Sequence, residues 1–293
     1  MSLMIPPAAA EPLFSLGAFP ITNAMVNGWI AVVFFVCVAL VARRRVGFVP
    51  HGVHNVIEGV IEFLLTETEK VTGDRARAKQ FLPIVGTIFL FVLFSNWLGL
   101  LPGTGSIGIW GVHEGAVELI PLLRPAASDL NLTLAIALFA VIASHVIGLM
   151  AVGPLAHVSK FVNVRGIWRA LKKGPMAILV SVIEFGVGLL EIVSEVAKVL
   201  SLSLRLFGNI FAGEVLLTVM LGILAWALPI PFMFLELLVG IIQATVFAML
   251  TLAYLTVATQ SHEEHEEEAV GGGGGQRAQR GQRGKESFNE LTI

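Results

Sequence analysis

Residues 200–214 read Leu-Ser-Leu-Ser-Leu-Arg-Leu-Phe-Gly-Asn-Ile-Phe-Ala-Gly-Glu, a membrane-grade apolar stretch with one arginine, Arg205, set inside it. A guanidinium stays protonated at any biological pH, and at bilayer depth it costs from roughly 2.5 to well over 10 kcal/mol depending on the reference state. Burying it requires a partner. No carboxylate lies one turn away on either side. Glu214, nine residues on, is about 900° around a helix and so on the opposite face. Asn209, at i+4, is the one polar neighbour on Arg205's own face besides serine. The counter-charge is therefore expected from another chain. The plainer alternative is a helix-end arginine snorkelling to the interface, and apolar sequence on both sides argues against it.

Composition points the same way. Of the 293 residues 56% are apolar and only 14% charged, with a mean hydropathy of +0.83. A soluble domain carries nearer a quarter charged residues, so the class is polytopic membrane protein. A net charge of −2 gives no support for a nucleic-acid partner. The lone cysteine, Cys37, excludes an internal disulfide. No basic n-region precedes the first apolar stretch, so no cleaved signal peptide is expected.

Along the chain, residues 1–21 hold four prolines and few charges, which suggests an irregular lead-in. A first span is expected from Asn23 to about Ala42, close to the 20 residues a 30 Å hydrocarbon core needs. Arg43-Arg44-Arg45 follows it and marks a cytoplasmic end, leaving the N-terminus outside. Over residues 51–70, Val53, Val56, Ile57, Val60, Ile61, Leu64 and Leu65 recur at helical spacing, opposite Glu58, Glu62, Glu67 and Glu69. That pattern predicts an amphipathic helix lying on the membrane, against a partner stalk or on the chain's own loops. His51 and His54 are expected at solvent, with no metal assigned to them.

A second span is predicted from Phe81 to Leu101 and a third from an N-cap at Ser128-Asp129 to about Val152. The intervening loop carries one basic residue, Arg124, with Glu114 and Glu118, whereas residues 156–174 contain Lys160, Arg165, Arg169, Lys172 and Lys173 and no acid. The asymmetry sets the former outside and the latter inside. Asp129 and Asn131 then sit near the outer mouth, either as caps and interface polars or as part of a water path. His145 is read as a packed interior histidine.

Two segments complete the membrane portion, Pro175 to about Gly222 and Pro231 to about Gln260. A continuous first segment would be about 70 Å long, more than twice the hydrocarbon thickness. Either it breaks near Glu195 to Lys198, or it lies steeply tilted as half of a long hairpin. An unbroken element gives five crossings and a cytoplasmic C-terminus. Glu184, Glu191, Glu195, Lys198, Arg205 and Asn209 fall within about 80° of arc on an ideal helix, and Glu214 leaves that stripe. Glu236, Gln243 and Tyr254 share a face of the return helix. Intramembrane ionisable residues line pores, relay protons or pair with one another. Two water-filled half-paths separated by Arg205 follow as the expectation: Glu214 and Glu236 in the outer one, with Asp129 and Asn131 nearer its mouth, and Glu191, Glu195, Lys198 and Ser201 in the inner one.

Ser-Leu-Arg-Leu-Phe-Gly-Asn followed by Ala-Gly-Glu, with Glu191, Lys198, Ser201, Gln243, Tyr254 and Ser-Asp-Leu-Asn-Leu-Thr at 128–133, closely resembles the signature of subunit a of F-type ATP synthases over about residues 20–262. The resemblance implies an all-α polytopic fold of about five membrane helices, the last two a tilted hairpin along a ring of small hairpin c subunits. It implies a stator embedded in the lipid bilayer of a bacterial plasma membrane, with peripheral-stalk b subunits as partners and the soluble ATP synthase sector reached through the complex, no cofactor and no catalysis of its own. Arg205 would then be the essential barrier, pairing transiently with each deprotonated ring carboxylate. Gln243 would pack across from Arg205. One departure concerns Glu236, since the best-known bacterial pattern has histidine there.

From residue 263 the chain turns acidic and then Gly/Arg-rich, resembles nothing in that family, and is expected to be a disordered tail without a part in transport. A self-contained secondary transporter is the alternative function, though no internal repeat is visible. An intramembrane enzyme lacks its motifs: there is no Gly-x-Ser-x-Gly, His-Glu-x-x-His or phosphate-binding loop.

Overall fold

The computed structural model describes residues 7, 9–17, 19–43, 52–101, 104, 107–113, 116–153, 175–224 and 228–259. In chain order these form a hairpin of β1 (Pro12–Leu16) and β2 (Phe19–Thr22), then α1 (Asn23–Arg43), α2 (Val53–Thr72) and α3 (Arg75–Gly99). A second hairpin of β3 (Gly108–His113) and β4 (Ala116–Pro121) and a 3-10 turn at Ala126–Ser128 lead into α4 (Leu130–Val152), α5 (Pro175–Ile223) and α6 (Pro229–Thr259). Every helix but α2 is long and apolar enough to cross a membrane. The chain is an all-α, multi-pass membrane protein with two short antiparallel hairpins attached.

Helix boundaries follow from caps as much as from apolar runs. Asp74 accepts from the backbone N–H groups of Ala76 and Arg77, so α3 begins at Arg75, six residues before the apolar run. The charged Arg75-Ala-Arg-Ala-Lys turn is helical but not membrane-grade. Asp129 caps α4 as its position predicts, accepting from Asn131 N at 3.0 Å. The helix over 175–223 does not break near Glu195. At 49 residues it is about 74 Å long, so it can occupy a 30 Å core only at a steep tilt.

The core lies where α3, α4, α5 and α6 meet, with Phe81, Val85 and Val92 facing Leu202, Leu206, Leu252 and Leu255. The closest pairings are α3 with α6, and α4 with both α5 and α6. Gly99 makes room for the linker after β4, since a Cβ there would meet the Pro125 backbone. Trp97 Nε1 donates to the Leu237 carbonyl at 3.2 Å and ties α3 to α6. Away from the core, α5 and α6 present an exposed apolar face that includes Leu189, Val193, Leu200, Leu204, Phe234 and Ile242. Helix α2 buries Leu64, Leu65 and Thr68 and leaves Val56, Ile61 and Phe63 exposed, so its apolar side is wider than this chain covers. Arg75 bridges Glu62 and Glu69 on its polar side at 2.8 and 2.9 Å.

The lead-in differs from expectation. An antiparallel hairpin stands where an irregular segment was predicted, turning at Gly17 with φ 67° and paired Phe14 to Ile21 and Leu16 to Phe19. The loop between α3 and α4 likewise holds a regular ladder from Gly108–Pro121 to His113–Ala116. Arg44, Arg45, His51, Glu114, the basic residues Lys160 to Lys173 and the tail from 260 on lie outside the described residues, as do the side chains of Glu118 and Glu184.

Candidate functional site

Ionisable side chains gather at two places along α5. The first is at the end of the bundle where α1 and α4 begin and α3 ends. Arg124, in the linker between β4 and α4, is only 2% exposed and donates from Nε to both carboxylate oxygens of Glu214 at 2.8 and 3.0 Å. Its backbone is anchored as well: its carbonyl accepts from Asn27 Nδ2 of α1, which also donates to the Ser95 carbonyl. Glu236 of α6 is buried, and its carboxylate lies against Gly213, where any side chain would collide with it. Glu236 and Glu214 thus face each other across the α5–α6 contact and feel each other's charge. The buried Ser128 hydroxyl donates to the Pro125 carbonyl at 2.8 Å in the turn beside Arg124.

Asp129 and Asn131 sit beside this cluster with other duties. The Asp129 carboxylate is buried and accepts from both the backbone and the side-chain amide of Asn131. Asn131 itself is exposed. In the core nearby, both amide atoms of Asn96 are buried without a hydrogen-bond partner among the described residues.

The second cluster lies on the other half of α5. Glu195 accepts from Lys198 Nζ at 2.6 Å and meets His145 Nε2 of α4 at 3.2 Å. The Lys198 ammonium also lies 5.4 Å from the ring centroid of Tyr254 on α6. Glu195, Lys198 and His145 are all half-buried, while Glu191 and Ser201 are exposed on α5.

Between the clusters stands Arg205, about 10 Å along the axis from Lys198 and about 14 Å from Glu214. It points outward, exposed with Leu204, Gly208 and Asn209 on the apolar face of α5, and among the described residues no acid pairs with it. The opposed directions of Arg205 and Glu214 are those of the 900° separation. Gln243 is buried on α6 among Gly240, Ala244 and Phe247, and no hydrogen bond joins it to Arg205. Among the described residues no three His, Cys, Asp or Glu side chains converge on a metal position.

Two participants were missed by sequence reasoning. Arg124 entered only as a topological charge, and His145 as a packed histidine. Both make their contacts across 90 and 50 residues. The signal within reach was the single basic residue in the otherwise acidic loop between α3 and α4.

The fold and these two clusters define a helical multi-pass membrane protein that carries ionisable groups at separate depths. The family model for the ATP synthase A chain matches residues 25–256. The chain is 30% identical to ATP synthase subunit a of Moorella thermoacetica, over 85% of this chain and 96% of that protein. It is 31% identical to the Gloeobacter violaceus subunit, over 82% of this chain and 85% of that one, and 35% identical to that of Mycobacterium ulcerans, over 82% and 87%. The chain belongs to the ATP synthase subunit a family.

Proposed function

We propose that this chain is the proton-translocating stator subunit of an F-type ATP synthase, carrying two offset half-paths past a ring of small hairpin subunits. The observation that supports it most is the placing of Arg205: it lies between two polar clusters, on the face opposite Glu214 and without an acid of its own among the described residues, on the exposed apolar face of α5. A lone cation there has its counter-charge supplied by a neighbour. A ring carboxylate arriving deprotonated meets Arg205, pairs with it, and leaves when the next proton-accepting position is reached. The field of the guanidinium repels a proton attempting the direct crossing.

In this reading the outer path runs by Asp129, Asn131, Glu214 and Glu236. The inner one runs by Glu191, Glu195, Lys198 and Ser201, with His145 added and Tyr254 as its wall. Asn209 and Gln243 flank the barrier. The N-terminus faces out and the C-terminus lies in the cytoplasm of a bacterium, and b subunits and the soluble sector complete the assembly. Each charge moved yields about 2.3 kcal/mol per 100 mV, delivered as ring rotation, while ATP chemistry belongs to the soluble sector. The test is Arg205→Ala in the assembled complex, reconstituted in vesicles. ATP-driven proton pumping should fall to background and passive leak should rise, and pumping at the wild-type rate would end the proposal.

A further inference from the structure

Arg124 lies outside every membrane helix, yet its guanidinium is buried and every side of it is engaged. Nε donates to Glu214, Nη1 to the Ala9 carbonyl at 3.2 Å and Nη2 to the Pro7 carbonyl at 2.8 Å. One face lies 6.0 Å from the Phe211 ring centroid, one turn before Glu214 on α5. With its backbone carbonyl held by Asn27, the residue is fixed by the N-terminal segment, α1 and α5 together. It cannot swing to a second carboxylate without giving up these contacts.

The acids around it are unequally served. Glu214 faces Arg124 from the linker, Ser128 from the 3-10 turn, Glu11 from the N-terminal segment and Glu236 from α6. Glu236 has no cation among the described residues; the Gly213 backbone and the Glu214 charge are its neighbours. A proton placed on Glu214 would strand a buried guanidinium without its counter-ion. A proton placed on Glu236 relieves a like-charge contact and strands nothing.

Given the proton-conducting role proposed above, we propose that Arg124 is the positioning residue of the outer half-path: it holds Glu214 as a fixed carboxylate and leaves Glu236 as the single group there that takes up and releases the proton. Glu214 then acts as a standing negative charge that draws the proton towards Glu236. The carbonyls of Pro7 and Ala9 give the N-terminal segment a part in the path, since they hold the guanidinium in place.

The experiment uses the assembled complex in vesicles, with transport rate recorded against outer-side pH for wild type, Arg124→Gln, and Arg124→Gln combined with Glu214→Gln. Wild type should show one titration step. Arg124→Gln frees Glu214 to share protons with Glu236, so the profile should become two-step, as coupled sites do, and the rate should fall at least about tenfold, as expected for a buried charge left alone. The double variant should return to one step with its rate still below wild type, because the standing charge is gone. A pair that merely braces the fold would restore the rate in the double variant but leave one step throughout; that result, or two steps in wild type, overturns the inference. Neither outcome touches the Arg205 barrier, whose own test is pumping by Arg205→Ala.

Discussion

The two polar clusters on α5 are built by different means. The one around Glu214 draws its cation from a linker 90 residues away and buries it almost fully, with one cation set against Glu214 and Glu236. The one around Glu195 draws its cation from the next turn of the same helix, stays half-exposed, and balances one acid with one lysine, with His145 beside them. A closed cluster with an excess of acid is suited to capturing a proton. A balanced, wetter one is suited to letting it go. In the proposed reading the two ends of the path differ in environment, because salt and water screen the second cluster far more than the first.

The contrast breaks most readily at Glu236. Glu236→Gln keeps the volume and removes the proposed proton site, and since Glu214 is already paired with Arg124, proton uptake should drop on the order of a hundredfold, the lower end of what a positioned proton-transfer group contributes. The measurement is the initial rate of proton uptake in vesicles at several outer pH values, with subunit stoichiometry as the control. Wild-type rates at every pH would take Glu236 out of the path and dissolve the contrast.

A milder test moves the same carboxylate without removing it. Gly213 packs directly on Glu236, and Gly213→Ala would place a methyl where the carboxylate now lies. Overpacking of this kind costs about 1–3 kcal/mol. About tenfold slower uptake is expected, with the helix itself undisturbed because alanine favours it. Equal rates would mean that the carboxylate has room to spare and that its present position is not the working one.

How much of this was legible in the sequence depends on the reach of the contact. The five spans, the cap at Asp129 and the outward aim of Arg205 come from apolar run length, local capping and helical phase, all of which are encoded within a few residues. The start of α3 was missed because Arg75, Arg77 and Lys79 are charged, although Asp74 is as plain a cap as Asp129. The hairpin at 12–22 was missed because Pro12 and Pro20 read as irregular and no apolar alternation offsets them. Arg124 against Glu214 and His145 against Glu195 are fixed by how the helices pack, and no periodicity carries that information. The continuous α5 was undecidable from length alone, and it stays whole because Glu195 and Lys198 bond to each other along the helix instead of interrupting it.

The smallest effect should come from the balanced cluster. Lys198→Ala removes a half-exposed partner at i+3, and such pairs are worth about 0.2–1 kcal/mol, so ATP-driven pumping should slow by less than about fivefold. Glu195 keeps His145 at 3.2 Å, and the Tyr254 ring loses only a cation above its face. Raising the salt should shrink the gap between variant and wild type, because screening already weakens the ion pair in the native protein. Pumping rates at low and high ionic strength decide it. If Lys198→Ala proves as damaging as Glu236→Gln and indifferent to salt, the second cluster is as closed as the first and the contrast between them fails.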